Sequence, residues 1–207
     1  MPGVEMAGTI RRSFIDEARR EQIVNCTIEV LAEVGFARTS LAEIAKRAGI
    51  SKGVISYHFA GKKELIEQVL EKSYREGREW LTLLAEKEGL SPSQKLRIYI
   101  DSNVNFLRTQ PAYIKALMEI YLNYRNEDGS PLDSVGYDDT TQQFLEELFR
   151  EGQATGIFRQ FSPSIMAVSL RAALDIVPLQ MQFDPELNLD AYAAEIAETF
   201  DRATRAS

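Results

Sequence analysis

Apolar residues recur at three- and four-residue spacing along nearly the whole chain, the period of helices with one buried face. Ile23, Cys26, Thr27, Val30, Leu31 and Val34 form the first such stripe. Ser13 or Asp16 can cap that helix, and Gly35 stops it. A short helix follows, with Ser40 as N-cap, Leu41, Ile44, Ala45 and Ala48 on one face, and Gly49 at its end. Ser51 caps another short segment, Lys52 to Phe59, which Ala60-Gly61 breaks. A long helix is predicted from about Lys62 to Lys87, with Leu65, Ile66, Val69, Leu70, Leu81 and Leu84 apolar. Beyond Ser91-Pro92 a helix carries Leu96, Tyr99, Ile100, Val104 and Leu107, and beyond Gln110-Pro111 another carries Ile114, Leu117, Met118 and Tyr121. Residues 126–136 read as a polar loop with turn signals at Asp128-Gly129 and Ser130-Pro131. Helices over about 138–154, 163–183 and 189–204 complete the pattern, the second kinked by Pro178. No strand-like alternation stands out. The predicted class is all-α, with about nine helices. Residues 1–63 form an N-terminal arm and three-helix unit, and 64–207 a larger helical bundle, with helix 62–87 connecting the two.

The segment Leu41–Phe59 carries the chemistry. It reads as helix, tight turn, helix. Two helices crossing steeply through a short turn need a small residue on the first, a residue tolerant of positive φ in the turn, and an apolar residue on the second pointing back. Ala45, Gly49 and Ile55 stand at that spacing. A structural helical hairpin shares one of these residues easily and all of them rarely, so the spacing points to a DNA-binding helix-turn-helix. Ser51, Lys52, Gly53, Val54, Ser56 and Tyr57 then lie at or near the part of the second helix that enters a major groove. Lys52 suits a guanine edge, Ser56 several base edges and Val54 a thymine methyl, while Gly53 permits close backbone approach. Tyr57, His58 and, just beyond, Lys62 suit phosphates. Thr39 and Ser40 stand at a helix N-terminus, which also favours a phosphate.

Charge first argues against this reading and then for it. The 207-residue chain has a formal net charge of −7, which taken whole speaks against nucleic acid as a partner. Residues 1–63, however, hold ten Lys or Arg and seven Asp or Glu, a balance of +3, which leaves −10 for the remainder. The single cysteine, Cys26, excludes an intrachain disulfide and a cysteine-cluster metal site, and the single histidine, His58, excludes a multi-histidine site. No metal or cofactor is expected. No uncharged apolar run approaches the ~18 residues of a membrane helix, and the first residues lack the core of a signal peptide. A cytoplasmic protein with no membrane partner is expected.

The run GFARTSLAEIAKRAGISKGVISYHFAGKKELI resembles the N-terminal domain of the tetracycline-repressor (TetR) family of bacterial transcriptional regulators. The likeness is dense over residues 23–66 and includes Gly35-Phe36, Thr39-Ser40, Ile44-Ala45, Gly49-Ile50-Ser51, Tyr57-His58-Phe59 and Lys62. Beyond about residue 70 it is a likeness of helix order. Two departures are Ser56, where many members carry Tyr, and Ile176, where relatives often have Gly. The resemblance implies a ligand-responsive regulator, usually a repressor, that binds double-stranded pseudo-palindromic operator DNA as a homodimer. It further implies that the last two helices pair across a two-fold axis, and that a small-molecule effector in the bundle shifts the connecting helix.

Two features of the sequence bear on those expectations. The helices 163–183 and 189–204 are rich in apolar residues, and Met166, Leu170, Leu174, Val177, Tyr192 and Ile196 are the candidate dimer contacts. Trp80, Tyr99, Asn103, Phe106, Tyr113, Leu117, Tyr121 and Phe149 are the candidate lining of an apolar ligand pocket, with Asp101, Glu119 and Asp175 as further polar groups. An alternative is a helical small-molecule-binding or scaffold protein without DNA binding. An enzyme is the least supported class: no HExxH, GxSxG or Walker motif is present, and a Ser-His-Asp triad would have to use His58 beside Phe59.

Overall fold

Side-chain caps set where several of the helices begin. Ser40, Ser51, Ser91, Ser162 and Asn188 each accept from a backbone N–H in the first turn that follows, and Ser91 with Gln94 closes a reciprocal capping box. The computed structural model describes residues 3–126, 128–130 and 139–206, with side chains at 15–126, 128–130 and 140–206. Among these the elements are α1 (Gly3–Val34), α2 (Leu41–Ala48), α3 (Lys52–His58), α4 (Lys62–Ala85), α5 (Pro92–Thr109), α6 (Pro111–Asn123), α7 (Asp139–Ala154), α8 (Pro163–Asp175), α9 (Val177–Phe183) and α10 (Leu189–Thr204). The fold is all-helical.

Two boundaries differ from the expected ones. The first helix begins at Gly3, so Ser13 and Asp16 lie inside it rather than at its cap. The expected helix 163–183 is two pieces that meet at Ile176, two residues ahead of Pro178. Proline lacks an N–H and its ring crowds the carbonyl four residues back; here the Ile176 N–H takes the Leu174 carbonyl. By length and hydropathy alone Pro163–Phe183, 21 residues with mean hydropathy 1.3, is apolar enough to cross a bilayer. It carries an Arg171–Asp175 ion pair and the break at Ile176. Of the loop expected at 126–136, residues 127 and 131–136 lie outside the described residues. Asn126 and Ser130 close a turn by an N–H to carbonyl bond of 2.8 Å.

The chain divides into two compact units. The first is Met1–Ser73 with Lys115–Leu132, so it extends past the boundary expected at 63 and takes in most of α6. Its core holds Ile23, Leu31, Ile44, Ile55, Leu65, Ile66 and Ile120, each at most 1% exposed. The second is Tyr74–Ile114 with Asp133–Ser207. Here α5 packs on α7, α8 and α10, and α7 packs on α8. Leu96, Tyr99, Ile100, Leu145, Phe149, Leu170 and Phe200 belong to one core cluster. Phe149 stacks with Phe158 and Phe161 at centroid distances of 6.0 and 5.4 Å.

Candidate nucleic-acid interface

The turn between α2 and α3 is built as its sequence requires. Gly49 sits at φ +66, and its N–H and that of Ile50 take the carbonyls of Lys46 and Ala45 at 3.3 and 3.0 Å. Ala45 is 5% exposed and Ile55 is fully buried, so the small residue and the apolar residue face each other's helices. With Ile55 turned inward, the remaining positions of α3 are fixed by helical geometry. Lys52, Gly53, Ser56 and Tyr57 are exposed, Tyr57 at 77%, and Val54 is half-buried. A Cβ at Gly53 would meet only Ser51 Oγ, at an ordinary 3.6 Å. The fold does not demand glycine there.

Other expected contacts are engaged within the protein. Thr39 is 3% exposed, and its hydroxyl donates to the Gly35 carbonyl at 2.8 Å. It is a buried turn residue. Ser40 and Ser51 are exposed, but their Oγ atoms accept from Glu43 and Val54 N–H groups at 3.3 Å as helix caps. His58 is half-buried, its ring edge-on to Tyr57 at 4.9 Å. Lys62 donates to the Phe36 carbonyl at 2.5 Å and lies 4.2 Å from the centre of the Phe36 ring. Burial lowers its pKa from the ordinary lysine value.

Sequence reading missed the groups that hold this substructure. Arg20 on α1 donates to the His58 carbonyl at the end of α3, and Gln22 donates to the Ala48 carbonyl at the end of α2 at 3.1 Å. Glu119 on α6 accepts from the Phe36 N–H at 2.7 Å. Glu119 thus serves the first unit. The adjacent basic pair Arg19-Arg20 is the one sequence signal for Arg20; nothing near Glu119 in sequence marks it.

The candidate pocket residues separate. Trp80, Tyr99, Asn103, Phe106, Tyr113 and Phe149 belong to the second unit, while Leu117 and Tyr121 belong to the first. Trp80 packs on Tyr99 at 6.1 Å between ring centres, and Phe106 on Tyr113 at 5.8 Å. Tyr99 is 1% exposed and Phe149 fully buried, both inside the core cluster. Asn103 donates to the Tyr99 carbonyl at 2.8 Å, and Asp101 pairs with Arg97 on the surface at 3.4 Å. The Tyr99 hydroxyl accepts from Arg171 Nη1 at 2.8 Å, and Arg171 also pairs with Asp175. Among the described residues no group of three or more His, Cys, Asp or Glu side chains is placed to hold a metal ion.

The expected dimer contacts differ in their burial. Leu170, Leu174 and Val177 are at most 4% exposed, packed inside their own chain. Met166, Tyr192 and Ile196 are half-buried, and Tyr192 donates to the Ala173 carbonyl at 2.9 Å. The outward apolar side chains of this region are Ile165, Val168, Ile176 and Phe183, exposed by 41% to 82%.

Comparison with known proteins places this architecture. The model of the bacterial regulatory proteins of the tetR family matches residues 23–69. The HTH-type transcriptional regulator BetI of Escherichia coli is 30% identical over 170 residues, which cover 78% of this chain and 85% of that protein. BetI of Stenotrophomonas maltophilia is 32% identical over 89 residues, 43% of this chain and 45% of the relative. The chain spans about half the length of that relative and of BetI 1 of Chromohalobacter salexigens. SmeT, the repressor of the Stenotrophomonas maltophilia multidrug efflux pump SmeDEF, has the same fold with TM-score 0.74 at 24% identity over 91% of each chain. NalD, the secondary repressor of the MexAB-OprM efflux pump of Pseudomonas aeruginosa, follows at TM-score 0.71 and 22% identity, covering 92% of this chain and 97% of its own. Fold and turn geometry define an all-helical helix-turn-helix protein. The chain belongs to the TetR family of bacterial regulatory proteins. That family is one of transcriptional regulators, not of enzymes.

Proposed function

We propose that the protein is a cytoplasmic, DNA-binding transcriptional repressor. It reads a pseudo-palindromic operator as a homodimer and is released when a small molecule binds the C-terminal bundle. The observation that carries this reading is the outward face of α3, where Lys52, Gly53, Ser56 and Tyr57 stand exposed around a fully buried Ile55. Lys52 and Ser56 contact base edges, Val54 a thymine methyl, and Tyr57 and His58 the backbone. The exposed apolar side chains Ile165, Val168, Ile176 and Phe183 support pairing of α8 and α9 with a second copy, because large apolar groups left exposed on successive helices fit an interaction surface. The aromatic groups around Trp80, Tyr99 and Phe144 support an effector with apolar surface. A neighbour of the same fold, SmeT, is known as a triclosan complex, with TM-score 0.77 at 22% identity.

The test is selection of bound fragments from the source genome by the purified chain, followed by affinity measurements across a salt series. A two-fold symmetric enriched sequence, bound by two copies with a steep inverse dependence on salt, is the expected result. No enriched sequence would leave a helical small-molecule-binding protein instead.

A further inference from the structure

The helix-turn-helix is entered through the turn before α2 and left through the turn after α3, and both ends are gripped by the same chemistry. At the entrance, Glu119 accepts from the Phe36 N–H at 2.7 Å, while Lys62 donates to the Phe36 carbonyl at 2.5 Å. The Lys62 ammonium stands 4.2 Å from the centre of the Phe36 ring. At the exit, Glu64 accepts from the Ala60 N–H at 2.6 Å, while Arg20 donates to the His58 carbonyl. The Arg20 guanidinium stands 4.3 Å from the centre of the Phe59 ring and pairs with Glu64 at 3.4 Å. Each clamp joins a carboxylate on an N–H, a cation on a carbonyl, and the same cation over an aromatic ring. Charge-assisted bonds of this kind are the strong and directional ones.

These side chains come from outside the motif they hold. Arg20 lies on α1, 38 residues from His58, and Glu119 lies on α6, 83 residues from Phe36. Glu119 also stands against Gly35, where a Cβ would lie 3.2 Å from its Oε2. The entrance is therefore closely fitted as well as bonded. Phe36 further meets the Tyr124 ring edge-on at 6.5 Å. An α-helix of seven residues, as α3 is, has little rigidity of its own. Its orientation is set by what holds its ends.

We propose that Arg20 and Glu119 are positioning residues for DNA recognition, acting on the two ends of the helix-turn-helix without touching DNA. The proposal rests on the DNA-binding reading above. Loosening either end lets α3 rock, so base-edge contacts with strict geometry are lost while contacts to phosphates, which tolerate movement, persist. Sequence-specific affinity then falls and the number of phosphates engaged does not.

The experiment uses the full chain, a duplex it enriches from a random pool, and an unrelated duplex of equal length, each titrated by fluorescence anisotropy across a salt series. For Arg20→Ala the expected result is about tenfold weaker binding to the enriched duplex, unchanged binding to the unrelated one and an unchanged slope of log affinity against log salt. Equal loss on both duplexes with a slope smaller by about one unit would make Arg20 a phosphate contact and overturn its positioning role. For Glu119→Ala the sign decides. A carboxylate that merely faces DNA repels it, so its removal would tighten binding; a clamp gives about tenfold weaker specific binding. Equal or tighter binding overturns the proposal for Glu119. If circular dichroism shows either alanine variant unfolded, Arg20→Lys and Glu119→Gln are read in its place. An intermediate loss confined to the enriched duplex is expected, and full native affinity on both duplexes overturns the proposal. Failure of the native chain to enrich any duplex overturns the DNA-binding reading and removes the proposal with it, a result distinct from every variant outcome.

Discussion

A methyl group at Gly152 would overlap the ring of Phe158: an ideal Cβ there lies 2.7 Å from Phe158 Cγ and nearer still to its edge atoms. The Phe158 N–H also donates to the Gly152 carbonyl at 2.9 Å, so neither partner is free to withdraw. Gly152→Ala is expected to destabilise the protein by about 1–3 kcal/mol through forced displacement of a packed aromatic. Gly77, inside α4 with nothing within 4 Å of such a Cβ, is the contrast. There the same substitution is expected to stabilise by up to about 1 kcal/mol. Urea unfolding midpoints of the two variants check both signs.

At Gly49 the constraint is the backbone alone. Its φ is +66, and nothing lies within 4 Å of the position a Cβ would take. A β-branched residue is strained there, whereas Asn visits this region more readily. Gly49→Val is therefore expected to cost more stability than Gly49→Asn, by about 1 kcal/mol. Thermal unfolding of both variants measures the difference.

Tyr99 makes the second unit sensitive to alkali. Burial raises its phenol above the ordinary tyrosine value of 10.0, and the adjacent Arg171 guanidinium offsets this in part. The unfolded chain therefore releases this proton before the folded one does. Stability from the buried neutral phenol is complete below about pH 10 and is lost as pH rises through the folded value. Unfolding free energies measured from about pH 8 to about pH 11 should fall at the top of the range. Tyr99→Phe should flatten that fall.

The two faces of α8 give opposite phenotypes. Leu170 is fully buried and Val168 is 56% exposed. Leu170→Ala is expected to destabilise the fold by about 2–5 kcal/mol. Under the homodimer proposed above, Val168→Glu should leave the melting of each chain near native and shift the protein from dimer to monomer in analytical ultracentrifugation. A monomeric native protein would remove the pairing surface proposed for this face.

What the sequence made legible was what depends on neighbours in sequence. Ala45, Gly49 and Ile55 fall within a few turns of chain, and serine caps signal through the residue three positions on, so α2, its turn and α3 were readable. The burial of Thr39 was not legible, because an exposed cap and a buried turn hydroxyl share the same residue types; only its 3% exposure separates it from Ser40. The buried face of helix 163–183 was illegible for a different reason. Its apolar positions run nearly all round, so periodicity alone does not say which of Leu170 or Val168 faces inward. The bond from Phe36 to Glu119 joins residues 83 apart, and no spacing rule encodes such a meeting.

The unit that carries α3 is assembled from Met1–Ser73 and Lys115–Leu132, with an excursion into the second unit between them. During synthesis the helix-turn-helix leaves the ribosome well before Glu119 and Tyr124 exist. Domains that fold as they emerge are finished only when their last segment arrives. Until then the Phe36 N–H has water in place of its carboxylate. The same holds for any graft: a chimera that borrows residues 1–63 to redirect another protein to DNA inherits Arg20 and Lys62 but leaves Glu64 and Glu119 behind. Each end of its helix-turn-helix keeps a cation on a carbonyl and loses the carboxylate on the N–H.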